Sequence, residues 1–558
     1  MGEVGLEPTR PYGQGILNPQ RLPFRHTPNN RGRPVDSGGP GDYTEADDSG
    51  DRPRTWSHHR PLSFQRRAEG SQRMGLGRKF AFAALLAGVI VTGSAPVLAT
   101  GPDIIVGEIA ILNNINRYGP LGRITAFSFA TTSCNIGDME AAWFSNTPDH
   151  PVIAQNIYRL KAGRFEQIGM AWLKHGFATL NDELPGCGTC QPTDGQTLGP
   201  GCSDTYEATL NGAQGLLGPR SQVNPSSGEF PYPFAAPAIQ PIIGRRIQVK
   251  NRDLDPIQNP GALYFLEAFY ISAHESIFNN AANNASWRRV TVTSEPLGYK
   301  LTPAGSTVRE EPAVFAWKAN DPTVQIQQVV IENDGGPGYF GYFWVASKAT
   351  YRGNCTWRYE YAVENLNSHQ ACGAFSVSLP GGVTPSWAGR RSIRYHSGEP
   401  YLPFSWMYSW TDSEIRWETY PFAEVPNANA IRFGTLYNFR FDVQAPPTCE
   451  GAAAIHLFRS PHRDPYVVQV IGPTIGDPCL QSEPTDFSCE AALVQPDRLP
   501  GDVSLDGTVD EADVQALVDV ILGRQEAPEA TLAADIDESG VVDGHDIAAL
   551  VNLLTGSK

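Results

Sequence analysis

Two twelve-residue segments, 33 positions apart, carry one acidic spacing: Asp502, Ser504, Asp506, Asp510 and Asp513 in the first, Asp535, Asp537, Ser539, Asp543 and Asp546 in the second. These are positions 1, 3, 5, 9 and 12 of a loop, with Gly507 and Gly540 at position 6 and Thr508 and Val541 at position 7. Six to eight hard oxygens at roughly 2.3–2.6 Å satisfy Ca2+, a main-chain carbonyl at position 7 adds to the side chains, and glycine permits the sharp turn around the ion. Each loop holds four aspartates that repel one another without a cation. The spacing therefore predicts two Ca2+ sites and a segment whose folding requires the ion.

After each loop, Val514, Leu517, Val518 and Ile521, then Ile547, Leu550, Val551 and Leu554, recur at i, i+3, i+4, i+7. That period predicts two amphipathic helices buried against each other, with Gly523 and Gly556 as their C-terminal caps. An ordinary EF-hand has a helix before each loop and Glu at position 12. Here Leu499-Pro500-Gly501 precedes the first loop and position 12 is Asp. A loop with one following helix, duplicated over residues 501–558, resembles a type I dockerin, the calcium module that plugs subunits into cohesin domains of extracellular assemblies. The resemblance implies a cohesin-type partner. It also implies that loop positions 10 and 11 choose that partner; these are Glu511-Ala512 and Gly544-His545, which differ, so the halves are not interchangeable. Ser504 and Ser539 depart from the family pattern and weaken their sites.

Arg78-Lys79, the apolar run 80–91 and Ala99 before Thr100 form a charged, apolar and small-residue sequence that reads as a secretory signal over residues 74–99, cleaved after Ala99. The run is shorter than the roughly 20 apolar residues of a membrane span. Residues 1–73 are rich in Arg, Pro and Gly without apolar periodicity; they read as a disordered or spurious extension, resemble a translated tRNA gene, and leave Met74 as the initiator. Residues 1–99 hold 13 Lys/Arg and 9 Asp/Glu out of 43 and 59, which leaves 30 against 50 in the exported chain, a net charge of −20. So acidic a chain is ill-suited to nucleic acid or anionic membranes.

The roughly 400 residues between are enough for two or three domains, and their texture is β, with Val-, Thr-, Tyr- and Trp-rich runs cut by Gly, Pro, Asn and Asp. The fold class read from this is mainly β, with β-sandwich-like domains and a small helical calcium module. The spans are a β-rich domain over 101–332 with a long loop from Leu180 to Pro241, a β-sandwich-like domain over 336–460, and a linker over 461–500. Thr356–Val363 alternates as a half-buried strand does. Residues 101–332 and 336–460 resemble secreted bacterial β-proteins with dockerin-like tails, a resemblance that transfers no activity.

All nine cysteines follow the signal, so disulfides are expected in an oxidising compartment, with Cys355–Cys372 across a hairpin and Cys479–Cys489 in the linker as preferred pairs and one thiol left over. His175, Cys187, Cys190 and Cys202 have a spacing that a closed Cys3His zinc site could also use. His150 and His175 flank a run dense in aromatics, amides and charges, open to a metalloenzyme site or to hydrogen-bonding turns. For glycoside hydrolysis, a reaction that two carboxylates can run, Asp138, Glu140, Glu166, Asp253, Asp255 and Glu267 are all available; Asp253 and Asp255 read better as turn caps. No Gly-x-Ser-x-Gly elbow, His-Glu-x-x-His or phosphate loop occurs. Trp406, Tyr408 and Trp410 alternate on a strand, with Trp417 following; they read as sandwich core, against a sugar-stacking face. The leading function is attachment to a cohesin-type partner combined with binding of an extracellular glycan, such as a polysaccharide, or protein. A tethered hydrolase of O-glycosyl bonds and a metalloenzyme on His150 and His175 are the alternatives.

Overall fold

The computed structural model describes residues 100–176, 178–393, 396, 398–479 and 486–489; beyond these it describes residues 501, 503, 504, 508–522, 524, 530, 533, 534, 536, 542 and 544–555. The signal segment 74–99, the extension 1–73 and the helix caps at Gly523 and Gly556 lie outside the described residues. No helix among the described residues is long and apolar enough to cross a membrane.

The chain is mainly β, in several antiparallel sheets stacked as layers. Strand Ile104–Ile109 pairs with Thr131–Asn135 and that with Ser203–Tyr206; Ile247–Lys250 pairs with Ile124–Phe129 and that with Ile115–Leu121. These two small sheets form the first layer. The second is a seven-stranded sheet centred on Val152–Lys161 and Leu263–Ile271, whose residues pair from Leu160↔Leu263 to Val152↔Ile271. Between the layers lie Phe127, Phe129, Ile157, Val249, Leu266 and Tyr270, all at most 1% exposed. At roughly 1.5–3 kcal/mol for each large apolar side chain buried, such a set dominates the layer contact.

Two five-stranded sheets make the third and fourth layers. One contains Gln325–Glu332, Phe340–Gly353, Thr356–Asn365, Thr435–Val443 and Trp387–Arg391; the other contains Met407–Trp410, Glu414–Glu418, Cys372–Ser378, Pro447–Leu457 and Tyr466–Pro473. They enclose one core in which Tyr359, Tyr361, Phe375, Trp417, Phe439 and Phe441 stack. The tyrosine hydroxyls donate to Ala445 O and Ile471 O at 2.9 Å each, which satisfies both buried groups. Strand Tyr466–Pro473 falls in the stretch read as linker; Val468 and Val470 point inward while Val467 is 69% exposed, the alternation of a one-sided strand.

In strand Thr356–Asn365 the apolar positions Trp357, Tyr359, Tyr361 and Val363 face the core as the alternation predicts. The alternate positions are not solvent-facing, however. Glu360, Ala362 and Glu364 are 7%, 0% and 1% exposed, because the second layer covers that face. At this junction Tyr158 Oη lies 2.8 Å from Glu267 and 2.8 Å from Glu364, Ala313 N donates to Glu267 at 2.6 Å, and Arg220 reaches Gly434 O at 3.0 Å and Asn156 at 2.9 Å. Burial, with Glu267 alongside, pushes the Glu364 carboxyl well above the usual carboxylate range.

The disulfides correct the expected pairing. Cys134 joins Cys187, Cys190 joins Cys202, Cys355 joins Cys479 and Cys449 joins Cys489, while Cys372 is free and buried. Cys355 lies at the turn opening strand Thr356–Asn365, and Cys372 follows that strand's far end. Ten strand residues span about 33 Å, against the roughly 7 Å that a disulfide tolerates between Cα atoms. Cys479 and Cys489 each tie their segment back to a sheet instead of to each other. With Cys187, Cys190 and Cys202 all in disulfides, the Cys3His zinc reading is overturned.

Candidate functional site

Helix Glu511–Ile521 starts where the first acidic loop ends. Asp510 is its N-cap, accepting from Ala512 N at 2.8 Å, and Asp513 completes a capping box by accepting from Asp510 N at 2.8 Å. The other oxygen of Asp513 accepts from Ser504 N at 2.8 Å, so one carboxylate at position 12 pins the loop to the helix. In the second loop Asp546, in the first turn of helix Gly544–Thr555, accepts from Ile536 N at 2.7 Å. Both carboxylates are 0% exposed. Asp513 forms no ion pair among the described residues, and a buried carboxylate without a counter-charge is costly. The helix N-terminus offsets part of that cost; a cation in the loop would offset the rest. The donor set present thus fits Ca2+, with Ser504, Thr508, Asp510, Asp513 and Asp546 described, and Asp502, Asp506, Asp535, Asp537, Ser539, Val541 and Asp543 outside the described residues.

The two helices share a small core of Val503, Leu517, Val520, Ala530, Ala534 and Leu550, with Ile521, Ile536 and Leu554 packed against it. The expected stripes are rotated by part of a turn. Leu517, Ile521, Leu550 and Leu554 face inward, but Val514, Ile547 and Val551 are 39%, 39% and 47% exposed, and Val520 takes the inward place given to Val518. Position 12 must point into the module to meet its loop, and this sets the helix rotation: residues 513, 516, 517 and 520 share that side. Val514 and Ile547 occupy matching places in the two repeats.

In the β body, Trp406 is 4% exposed and Trp417 is fully buried, as core residues are, but Tyr408 and Trp410 are 49% and 46% exposed with rings stacked at 6.2 Å and 17°. Their assignment to the core is thereby corrected. Strand Met407–Trp410 is the edge of its sheet and, among the described residues, pairs with Glu414–Glu418 alone.

His150 Nε2 and His175 Nδ1 are 3.0 Å apart, both histidines are buried, and Phe230, Tyr232 and Phe234 from the long 180–241 loop ring the pair. Burial lowers their pKa values to about 4 and about 3, so both are neutral and one ring donates to the other. No group of three His, Cys, Asp or Glu suited to a metal ion occurs among the described residues.

Of the other carboxylates, Glu166 is buried, yet Arg391, Arg159 and Arg164 hold it below the usual carboxylate range. Asp253 pairs with Arg159 at 3.3 Å, Asp255 closes a turn through Ile257 N at 2.9 Å, and Glu267 is sealed in the layer junction. Asp138 and Glu140 open together onto a cavity of about 730 Å3 that His274 also lines.

The architecture is that of a layered β body followed by a two-helix module with carboxylates aimed into its loops. The dockerin type I domain model matches residues 500–555, and a dockerin type I domain is thereby found in this chain. No curated protein matches the chain. Among solved structures, the N-terminal domain of the Streptococcus gordonii adhesin Sgo0707 aligns with 67% of this chain and 99% of its own at 8% identity and a TM-score of 0.15, too low to establish a common fold.

Proposed function

We propose that this is an exported protein whose dockerin domain, folded around two Ca2+ ions, docks it to a cohesin-type partner, and whose β body binds an extracellular glycan. The observation that carries the docking half is the dockerin match over a module in which Asp513 and Asp546 are buried and bonded to loop amides. The exposed Val514, Ile547 and Val551 provide an apolar surface that a partner would cover. The glycan half is supported by Tyr408 and Trp410, near-parallel and half exposed, whose rings suit the apolar face of a sugar ring. Four disulfides fit an oxidising compartment.

The test is immobilisation of the exported chain, residues 100–558, on a type I cohesin with calcium and then with a chelator, followed by a polysaccharide panel. Calcium-dependent capture and a glycan signal lost in Tyr408→Ala and Trp410→Ala support the reading. Capture that ignores the chelator sinks the docking half; glycan binding that ignores both substitutions sinks the other. A hydrolytic reading has one observation in its favour, the position of Asp138, Glu140 and His274 on a single open cavity. Release of soluble sugar abolished by Glu140→Gln would establish it.

A further inference from the structure

The hairpin of Val152–Lys161 and Arg164–Met170 turns at Ala162-Gly163 beside the third layer, leaving an open cleft of about 280 Å3. Seven of its lining side chains are cationic and two, Glu166 and Glu360, are acidic. Much of this charge is internally matched. Arg159 meets Glu166 at 2.8 Å, Arg164 meets Glu360 at 2.6 Å, Arg358 grips Asp442 through two 2.7 Å bonds, and Lys348 pairs with Asp321 and Asp486. Three cations remain without a carboxylate among the described residues: Lys161, Arg352 and Arg440. Lys161 Nζ bonds only neutral oxygens, Gln258 O at 2.7 Å and Asn259 Oδ1 at 3.0 Å, and Arg352 is exposed.

Arg440 is the telling one. Its Nε is buried without a hydrogen-bond partner among the described residues, and its guanidinium sits 4.7 Å from the Trp387 ring centroid. Arg358 approaches the same ring at 5.2 Å. Trp387 is 39% exposed and lies flat on its own strand over Gly389, where a Cβ would come within 2.6 Å of the ring. A cationic cleft thus opens beside an exposed indole in a chain whose overall charge is −16. The indole offers a stacking face, the surplus guanidinium offers a fork of donors for a planar or tetrahedral anion, and a nucleic-acid polyanion would meet the acidic remainder of the molecule. The volume lies just under the roughly 300 Å3 at which small-molecule pockets begin, room for a single charged residue rather than a length of polymer.

We propose that this cleft is a subsite for an acidic sugar residue, one bearing a carboxylate or a sulfate, with Arg440 and Arg352 taking the anion and Trp387 the ring. It rests on the glycan-binding reading and narrows it. The test is calorimetry of residues 100–558 against three oligosaccharides of equal length, one neutral, one with carboxylates and one with sulfates, at fixed ionic strength. At least one acidic ligand should bind roughly tenfold more tightly than the neutral one, the weight of about one charge-assisted hydrogen bond. Arg440→Gln, Arg352→Gln and Trp387→Ala should each remove most of that preference, and the better acidic ligand identifies the anion. Should Arg440→Gln lower the melting midpoint, the exposed Arg352 position decides alone. Equal affinity for acidic and neutral ligands, or an acidic preference untouched by Arg352→Gln, overturns the subsite while the glycan reading survives. Binding of none of the three overturns both.

Discussion

A buried, mutually bonded pair of neutral histidines ties stability to pH in a definite direction. His150 and His175 titrate at about 4 and about 3 in the folded chain, against roughly 6.5 when unfolded. Below 6.5 the unfolded state takes protons that the folded state refuses, so the pair's contribution is complete above that pH and is lost as pH falls from 6.5 toward 3. Denaturant midpoints measured across that window should fall steeply for the parent chain and less steeply for His150→Gln; identical slopes would show that the pair is not what titrates. The cysteines carry a second residue-scale expectation. Burial pushes the Cys372 thiol up to about 12, so it should stay unmodified by an alkylating reagent in the folded chain and react only on unfolding. That one thiol would remain was readable from an odd count of nine; which one was not, since its identity depends on where two sheets place their ends.

At the scale of elements, the first acidic loop and the helix after it are one mechanical unit, because the side chains that would bind an ion also cap the helix. Asp510→Ala should cost about 1 kcal/mol of module stability even without calcium, the usual loss of an N-cap, read from the module's thermal transition in chelator. Chelation of the parent should remove helical dichroism while the β body's melting transition stays in place; a single transition shifted as a whole would mean that body and module unfold together. The segment around Cys479 and Cys489 is held differently. Cys355–Cys479 closes 124 residues and Cys449–Cys489 closes 40, and replacing the first pair with serines should lower stability by about 2–5 kcal/mol. Strand texture was legible in Thr356–Val363 because alternation is local, whereas the rotation of helix Glu511–Ile521 was not: apolar spacing alone allows Val518 or Val520 inside, and the choice follows from aiming Asp513 at its loop.

For the molecule as a whole, the decisive contact is the polar seam between the second and third layers. Tyr158 bridges Glu267 and Glu364 inside it, and buried polar groups that lose a partner cost about 1–3 kcal/mol. Tyr158→Phe should therefore destabilise the whole β body by that order, with both layers still melting in one transition; two separated transitions in the parent would show that the seam does not couple them. Nothing in the sequence distinguished Glu364 from the solvent-facing acids of an ordinary one-sided strand, because what buries it is a sheet that begins two hundred residues earlier.

The sequence by itself determined the dockerin domain with its repeated acidic spacing and the β character of the body, since each depends on chemistry repeated within a dozen residues or on alternation along one strand. The tertiary structure alone decided which cysteines meet, that Tyr408 and Trp410 stand out while Trp406 and Trp417 turn in, and that Arg440 lines a cleft while also lying against Trp387. Those outcomes depend on which sheet covers which face, a matter of distances between residues that are far apart in the chain and carry no local mark of one another.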